Sequence, residues 1–186
     1  YTREDVLRLI EENGGKAEGL DLSEKVFEET VDLHELNLKG IVLVGAYLES
    51  SYLMGAHLEE ARLGEAHLEG AILMGAHLEE ANLLGAHLEE AYLEDAHLEG
   101  AYLHSTHFES ADLMAVDLEG ACLQGAHLEG AHLTRAHLKG ADLGGANFSS
   151  DTRLETVYWG NYVLGEESKE DFSGAEGTYR RLKQWY

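Results

Sequence analysis

The sequence predicts an all-β solenoid: a chain wound into a square coil, with a short helix before it and another after it. Three observations predict this. A Leu or Phe recurs at every fifth residue from Leu33 to Phe148 without a slip. Ala dominates the position two residues earlier, as in Ala76-His77-Leu78-Glu79-Glu80 and Ala86-His87-Leu88-Glu89-Glu90. Residues 20 apart resemble one another, which lays a second, longer period over the first.

A period of five suits neither common element. A helix turns about 100° per residue, so leucines five apart would wander over every face. A flat strand alternates faces, so they would fall on opposite sides in turn. The conflict disappears if the chain turns a corner in every phrase. The Ala and the Leu then point inward, the residue between them points outward, and the last two residues make the corner. Gly, Glu and Ser are frequent at those corners, and Gly tolerates a positive φ. Four sides close a coil of 20 residues, so residues 31–150 hold 24 phrases in six coils. With neighbouring strands about 4.8 Å apart, this part is roughly 29 Å long.

Taken in order, Thr2-Arg3-Glu4-Asp5 has the form of a capping box, Val6, Leu9 and Ile10 form one apolar helix face, and Asn13-Gly14-Gly15 ends it. This helix, residues 1–15, is expected to lid the first coil, whose leucines and strand edge would otherwise be bare. Repeats occupy residues 20–150, entered through Leu20-Asp21-Leu22-Ser23-Glu24 and Lys25-Val26-Phe27-Glu28-Glu29. The register shifts by one at Thr30, as a bulge or corner adjustment would produce. After Phe148 the register is lost. Leu154, Val157, Trp159, Tyr162, Val163 and Leu164 suggest an irregular closing coil over 151–172. Ser173-Gly174-Ala175-Glu176 is a second capping pattern. It opens a helix over 173–186 with Tyr179, Leu182, Trp185 and Tyr186 on one side. The whole of 1–186 reads as one domain.

The uninterrupted five-residue phrases resemble the pentapeptide repeat family. The resemblance implies a right-handed quadrilateral β-helix for about two thirds of the chain. The family more often has Asp or Asn before the Leu; here His takes that place, with Asn82, Asp112, Asp117, Asp142 and Asn147 as exceptions. Residues 162–167 and 179–183 resemble prokaryotic members with a further helical tail. A longer parent chain and a prokaryotic cytoplasmic setting are therefore expected.

Composition narrows function. The net charge of −23 argues against direct binding of nucleic acid or of anionic membranes. No apolar run approaches membrane-spanning length, and no signal-peptide pattern appears. Pro does not occur, which suits unbroken ladders. The single cysteine, Cys122, rules out an intramolecular disulfide. No nucleophile–base–orienter set and no Gly-rich phosphate loop is marked out, and no cofactor is expected.

The 20-residue period separates four faces. Two opposite faces carry His and Glu two apart: His57, His77, His97 and His137 on one, His67, His87, His107 and His127 on the other. Most of these residues form a solvated polar surface in the simplest reading, with cross-strand pairs worth a few tenths of a kcal/mol each. Metal capture and proton sensing are the alternatives. Protonating all 11 His would take the formal charge from −23 to −12. A third face is mixed, with Val44, Arg62, Leu84, Tyr102, His104, Cys122 and Gln124, and suggests nothing specific. The last is apolar where it should be outward: Tyr52, Ile72 and Tyr92 stack beside Met54, Met74 and Met114. Such a patch marks a contact surface for a protein partner, a second copy, or the chain's own tail. The expected function is a non-enzymatic interaction or scaffolding module. The family resemblance adds an alternative, since some members are acidic rods that mimic DNA and act on type II topoisomerases.

Overall fold

The structure is a computed structural model that describes residues 1–159. The helix expected over 173–186, and the part of the closing coil beyond Trp159, lie outside the described residues.

Helix α1 spans Arg3–Glu12. Its capping box forms as the sequence predicts. The Asp5 N–H donates to Thr2 Oγ1 and the Thr2 N–H donates to Asp5 Oδ2, both at 3.1 Å. This satisfies two otherwise orphaned donors. Val6 is buried, and Leu9 and Ile10 pack onto the core beneath, so the helix closes the first coil as a lid.

From Asp21 to His137 every side of the coil pairs in parallel with the side one coil further on. Tyr52 pairs with Ile72 and Ile72 with Tyr92, and the other three sides do likewise. The pairing uses four of the five backbone N–H groups in each phrase. In the phrase at Ser51 the Tyr52 N–H donates to the previous coil at Val31 O. The Leu53 and Gly55 N–H groups donate to the next coil at Ile72 O and Met74 O. The Ala56 N–H closes the corner onto Leu53 O. Committing four of every five backbone donors to neighbouring coils and corners is what permits a stacked chain.

Each corner is a hydrogen-bonded turn whose third residue has positive φ, the type II geometry. Every fifth residue from Glu35 to Gly145 adopts it: Gly at Gly55 and Gly75, but also Glu60 at 59°, Glu90 at 57° and Ala115 at 56°. The cost of left-handed backbone at non-Gly residues is met by the ladders on either side.

The core is a column of Leu and Ala with almost no exposure from Leu38 to Ala136. Ser51, Thr106, Phe108 and Val116 are variations on it. Thr106 Oγ1 donates to Leu83 O at 2.8 Å, while Ser51 Oγ, equally buried, has no partner among the described residues.

Two one-residue insertions bracket the regular run. Asp21 pairs with Val42 and Val26 with Tyr47, each 21 residues on, whereas Asp32 pairs with Tyr52, 20 on. The extra residue lies in the corner at Thr30, which has φ 60°. At the other end His127 pairs with Asn147, but His132 pairs with Arg153 and His137 with Tyr158. Past this second insertion the coil resumes rather than becoming irregular. Thr152 and Leu154, then Val157 and Trp159, take the inward positions of Ala and Leu.

Candidate functional site

The four faces are set by the residue between Ala and Leu and by the first corner residue. That corner residue carries the fifth N–H, the one the ladders leave over. Where Asp or Asn precedes the Leu, its side chain accepts this bond. Asn82 Oδ1 takes it from Leu84, Asp112 Oδ1 from Met114, Asp117 Oδ1 from Glu119, and Asp142 Oδ1 from Gly144, at 3.0–3.1 Å. His offers no such acceptor here. In the His phrases a Glu two residues on turns back toward the imidazole. The pairs His57–Glu59, His67–Glu69, His77–Glu79, His87–Glu89 and His107–Glu109 bring Nδ1 and Oε1 to 3.2 Å. Burial pushes the Glu59 carboxyl up, but its own backbone N–H and the His57 imidazole outweigh this and hold it below its ordinary value.

The two His faces differ in continuity. On one, His57, His77 and His97 stack with ring centroids 4.8 Å apart. Asp117 then takes the next place, so His137 stands apart and meets Tyr158 instead. On the other, Tyr47, His67, His87, His107 and His127 form one unbroken stack at 4.6–4.9 Å, nearly parallel throughout. Here two of the Glu also reach toward the next coil: Glu89 Oε1 lies 4.0 Å from His107 Nδ1 and Glu109 Oε1 3.9 Å from His127 Nδ1. The second carboxylate oxygens of Glu69, Glu89, Glu109 and Glu129 are shielded from solvent without a hydrogen-bond partner.

The apolar face is assembled as the period predicts. Tyr52, Ile72 and Tyr92 are bridged in sequence, with Met54 and Met74 beside them at the corners and Met114 above Glu94. Tyr52, Met54 and Tyr92 are 42%, 49% and 52% exposed. Ile72, Met74 and Met114 are half-buried. Asp32 and His34 close the column at one end, and Asp112 and His132 at the other. The opposite, mixed face shows two further exposed apolar side chains, Leu84 and Tyr102, which the sequence left without a role. They lie between Arg62, Asn82 and Cys122. They stand 18 residues apart, on a diagonal of the face that the 20-residue period does not mark. Among the described residues, no helix is long and apolar enough to cross a membrane.

Comparison with known proteins agrees with this architecture. The family model described as pentapeptide repeats, in eight copies, matches residues 32–70, 51–88, 71–109 and 111–149. No curated protein sequence matches the chain. Among solved structures, the chain is similar to HetL, a pentapeptide repeat protein involved in heterocyst differentiation regulation from the cyanobacterium Nostoc sp. strain PCC 7120. The identity is 22% over 88% of this chain and 95% of that one, with a TM-score of 0.55. Looser likenesses are to Rfr23 from the cyanobacterium Cyanothece 51142 and to QnrB1, a plasmid-mediated fluoroquinolone resistance protein. For Rfr23 the identity is 25% over 84% and 99% of the two chains, TM-score 0.38. For QnrB1 it is 17% over 82% and 88%, TM-score 0.40. The repeat match covers more than half of the sequence, and its fold is the right-handed β-helix of those repeats. The chain belongs to the pentapeptide repeat family.

Proposed function

We propose that this chain is a rigid, non-enzymatic protein-interaction module whose contact surface is the column Tyr52, Met54, Ile72, Met74, Tyr92 and Met114. The observation that carries this reading is the half-exposure of Tyr52, Met54 and Tyr92 in one continuous apolar stack. Covering apolar area returns roughly 25 cal/mol per Å², and methionine adapts to an imprecise partner. The net charge of −23 selects a partner whose apolar strip is rimmed by Lys and Arg, and disfavours a second copy of this chain.

The test is the double variant Met54→Glu with Met74→Glu, used beside the wild type in affinity capture and in reconstitution with the purified captured protein. The expected result is an unchanged circular dichroism spectrum with binding lost. A variant that folds and still binds removes this surface from the proposal. A variant that unfolds places the methionines in the core and overturns the assignment. Light scattering that shows a wild-type dimer dissolved by the substitutions would assign the surface to self-association instead.

A second hypothesis is mimicry of DNA toward a type II topoisomerase, motivated by the charge of −23 carried on a narrow rod. A supercoiling assay with gyrase decides it. Neither inhibition nor protection at tens of micromolar protein would remove it.

A further inference from the structure

The unbroken His stack does something that the interaction reading does not use. Three side chains, His87, Glu89 and His107, bring one ligand atom each to within 4.8 Å of one another, and His107, Glu109 and His127 do the same one coil on. We propose that this stretch of the stack binds a borderline divalent transition cation such as Zn²⁺, through imidazole Nδ1 atoms of two successive coils and the carboxylate between them.

The donor set fits such an ion. Zn²⁺ takes imidazole nitrogen and carboxylate oxygen at about 2.0–2.2 Å in a tetrahedron, which separates neighbouring ligand atoms by roughly 3.4 Å. Glu89 Oε1 already stands 3.2 Å from His87 Nδ1, and 4.0 Å from His107 Nδ1. Glu109 Oε1 stands 3.2 Å from His107 Nδ1 and 3.9 Å from His127 Nδ1. The carboxylate edge needs a closure of about half an ångström at the longer contact, whereas the imidazoles of His87 and His107, stacked at 4.7 Å and nearly parallel, must tilt and close by about 1 Å for both nitrogens to meet one ion. These side chains are about one third exposed, so they can shift while the fourth position stays open to water. The free second oxygens of Glu89 and Glu109 are an independent sign that each carboxylate has bonding capacity left over. Hard cations prefer all-oxygen shells, so the two imidazoles select against Mg²⁺ and Ca²⁺.

The reach of Glu89 and Glu109 across the coils makes this face the site. The two triads share His107, so its Nδ1 serves one ion at a time, and the ion occupies one triad or the other. On the opposite face His57, His77 and His97 stack equally well, but among the described residues Glu59, Glu79 and Glu99 each pair only with the His of their own phrase, and the comparable group is Glu79, His97 and Glu99, with a single imidazole. Coordination needs an Nδ1 lone pair, which a neutral ring supplies by carrying its proton on Nε2 and an imidazolium cannot supply, so binding weakens on acidification.

The experiment is titration of the whole chain with ZnCl₂, and with MgCl₂ as control, by calorimetry at neutral and at mildly acidic pH. Co²⁺ absorption reports coordination. The expected results are Zn²⁺ binding that weakens at the lower pH, no Mg²⁺ binding, and an intense four-coordinate visible spectrum with Co²⁺. His107→Gln removes a ligand from both triads, so Zn²⁺ affinity falls by about tenfold or more. His97→Gln, on the opposite face, leaves it within about twofold. Equal affinity in His107→Gln and the wild type overturns the proposal, as does a six-coordinate, weakly absorbing Co²⁺ spectrum. Should His107→Gln fold poorly, ring resonances of His87, His107 and His127 in the wild type decide. They must shift with Zn²⁺ ahead of those of His57 and His77, and simultaneous shifts on both faces refute the site.

Discussion

Gly75 and Ala115 sit at the same corner of the coil, two coils apart, and make opposite tests of the left-handed backbone. Gly75 has φ 61°, and a Cβ added there would meet nothing within 4 Å. The cost of Gly75→Ala is therefore a backbone cost alone. A left-handed L-residue costs about 1–2 kcal/mol, and the stiffer unfolded chain returns about 0.4–1 kcal/mol. The net loss expected is about 1 kcal/mol, or a fall in Tm of roughly 2–4 °C for a chain of this size. Ala115 has φ 56° without being Gly, so Ala115→Gly should gain by about the same amount. Gly130→Ala should cost more than Gly75→Ala, because its Cβ would press on Ser110 Oγ at 3.3 Å. Urea unfolding followed by far-UV circular dichroism measures all three. If Gly75→Ala were neutral or stabilising, or if Ala115→Gly destabilised, the corners would not have this geometry and the reasoning would fail.

Three more predictions concern the core and the surface charges. Leu88→Ala, in the middle of a fully buried column, should lose about 2–5 kcal/mol in the same unfolding assay, and a loss under 1 kcal/mol would mean the column is not close-packed. Ser51→Ala should stabilise the chain by about 1 kcal/mol, since it removes a buried hydroxyl without a partner; a measured loss would show that Ser51 Oγ is bonded after all. Asp5, held low by the Thr2 N–H, Asp21 by the Ser23 hydroxyl, Asp32 by the His34 imidazole, and Glu59 all have carboxyls below their ordinary values. A depressed folded value means that their stabilisation is present above the unfolded values of 3.8 for Asp and 4.5 for Glu. It is lost as pH falls through the folded ones. Thermal melts should therefore decline on acidification from pH 5 to 3, and a flat Tm across that window would contradict the carboxylate contacts.

The coil was legible because its signal is repeated at every phrase. Leu88 and Ala86 point inward for the same reason as Leu33 and Ala146, and a single period explains them all. The lid was legible in Thr2 and Asp5, whose side chains are the capping chemistry itself. The bulge at Thr30 was legible because a strict repeat makes one extra residue visible. The second insertion is hidden because Thr152, Val157 and Trp159 replace Ala and Leu just where the spacing gains one residue, so composition and register change together. The faces followed from the 20-residue period, so Tyr52, Met54 and the histidine columns fell where expected. Their degree of exposure did not follow. Ile72, Met74 and Met114 are half covered because each outward side chain lies against the coil above and below, a distance set by strand spacing and invisible to sequence pattern. The difference between the two His faces was written in Asp117, but its weight appears only when ring stacking and the reach of Glu89 to His107 are measured.

The stacking rule has a consequence for how such a chain can change length. Every phrase has the same inward pair and the same corner, while what it shows to solvent depends only on its place in a cycle of four. Removing 20 residues, such as 76–95, shortens the rod and leaves each exterior stripe in line with itself. Removing five keeps the interior column whole and the ladders closed, yet turns everything beyond by a quarter revolution. The Tyr/Met stripe of one half would then continue into a histidine stripe of the other. The backbone thus behaves as an indexing wheel with four stops. The core is indifferent to the stop, so any function resting on an aligned stripe tolerates gain or loss of whole revolutions only.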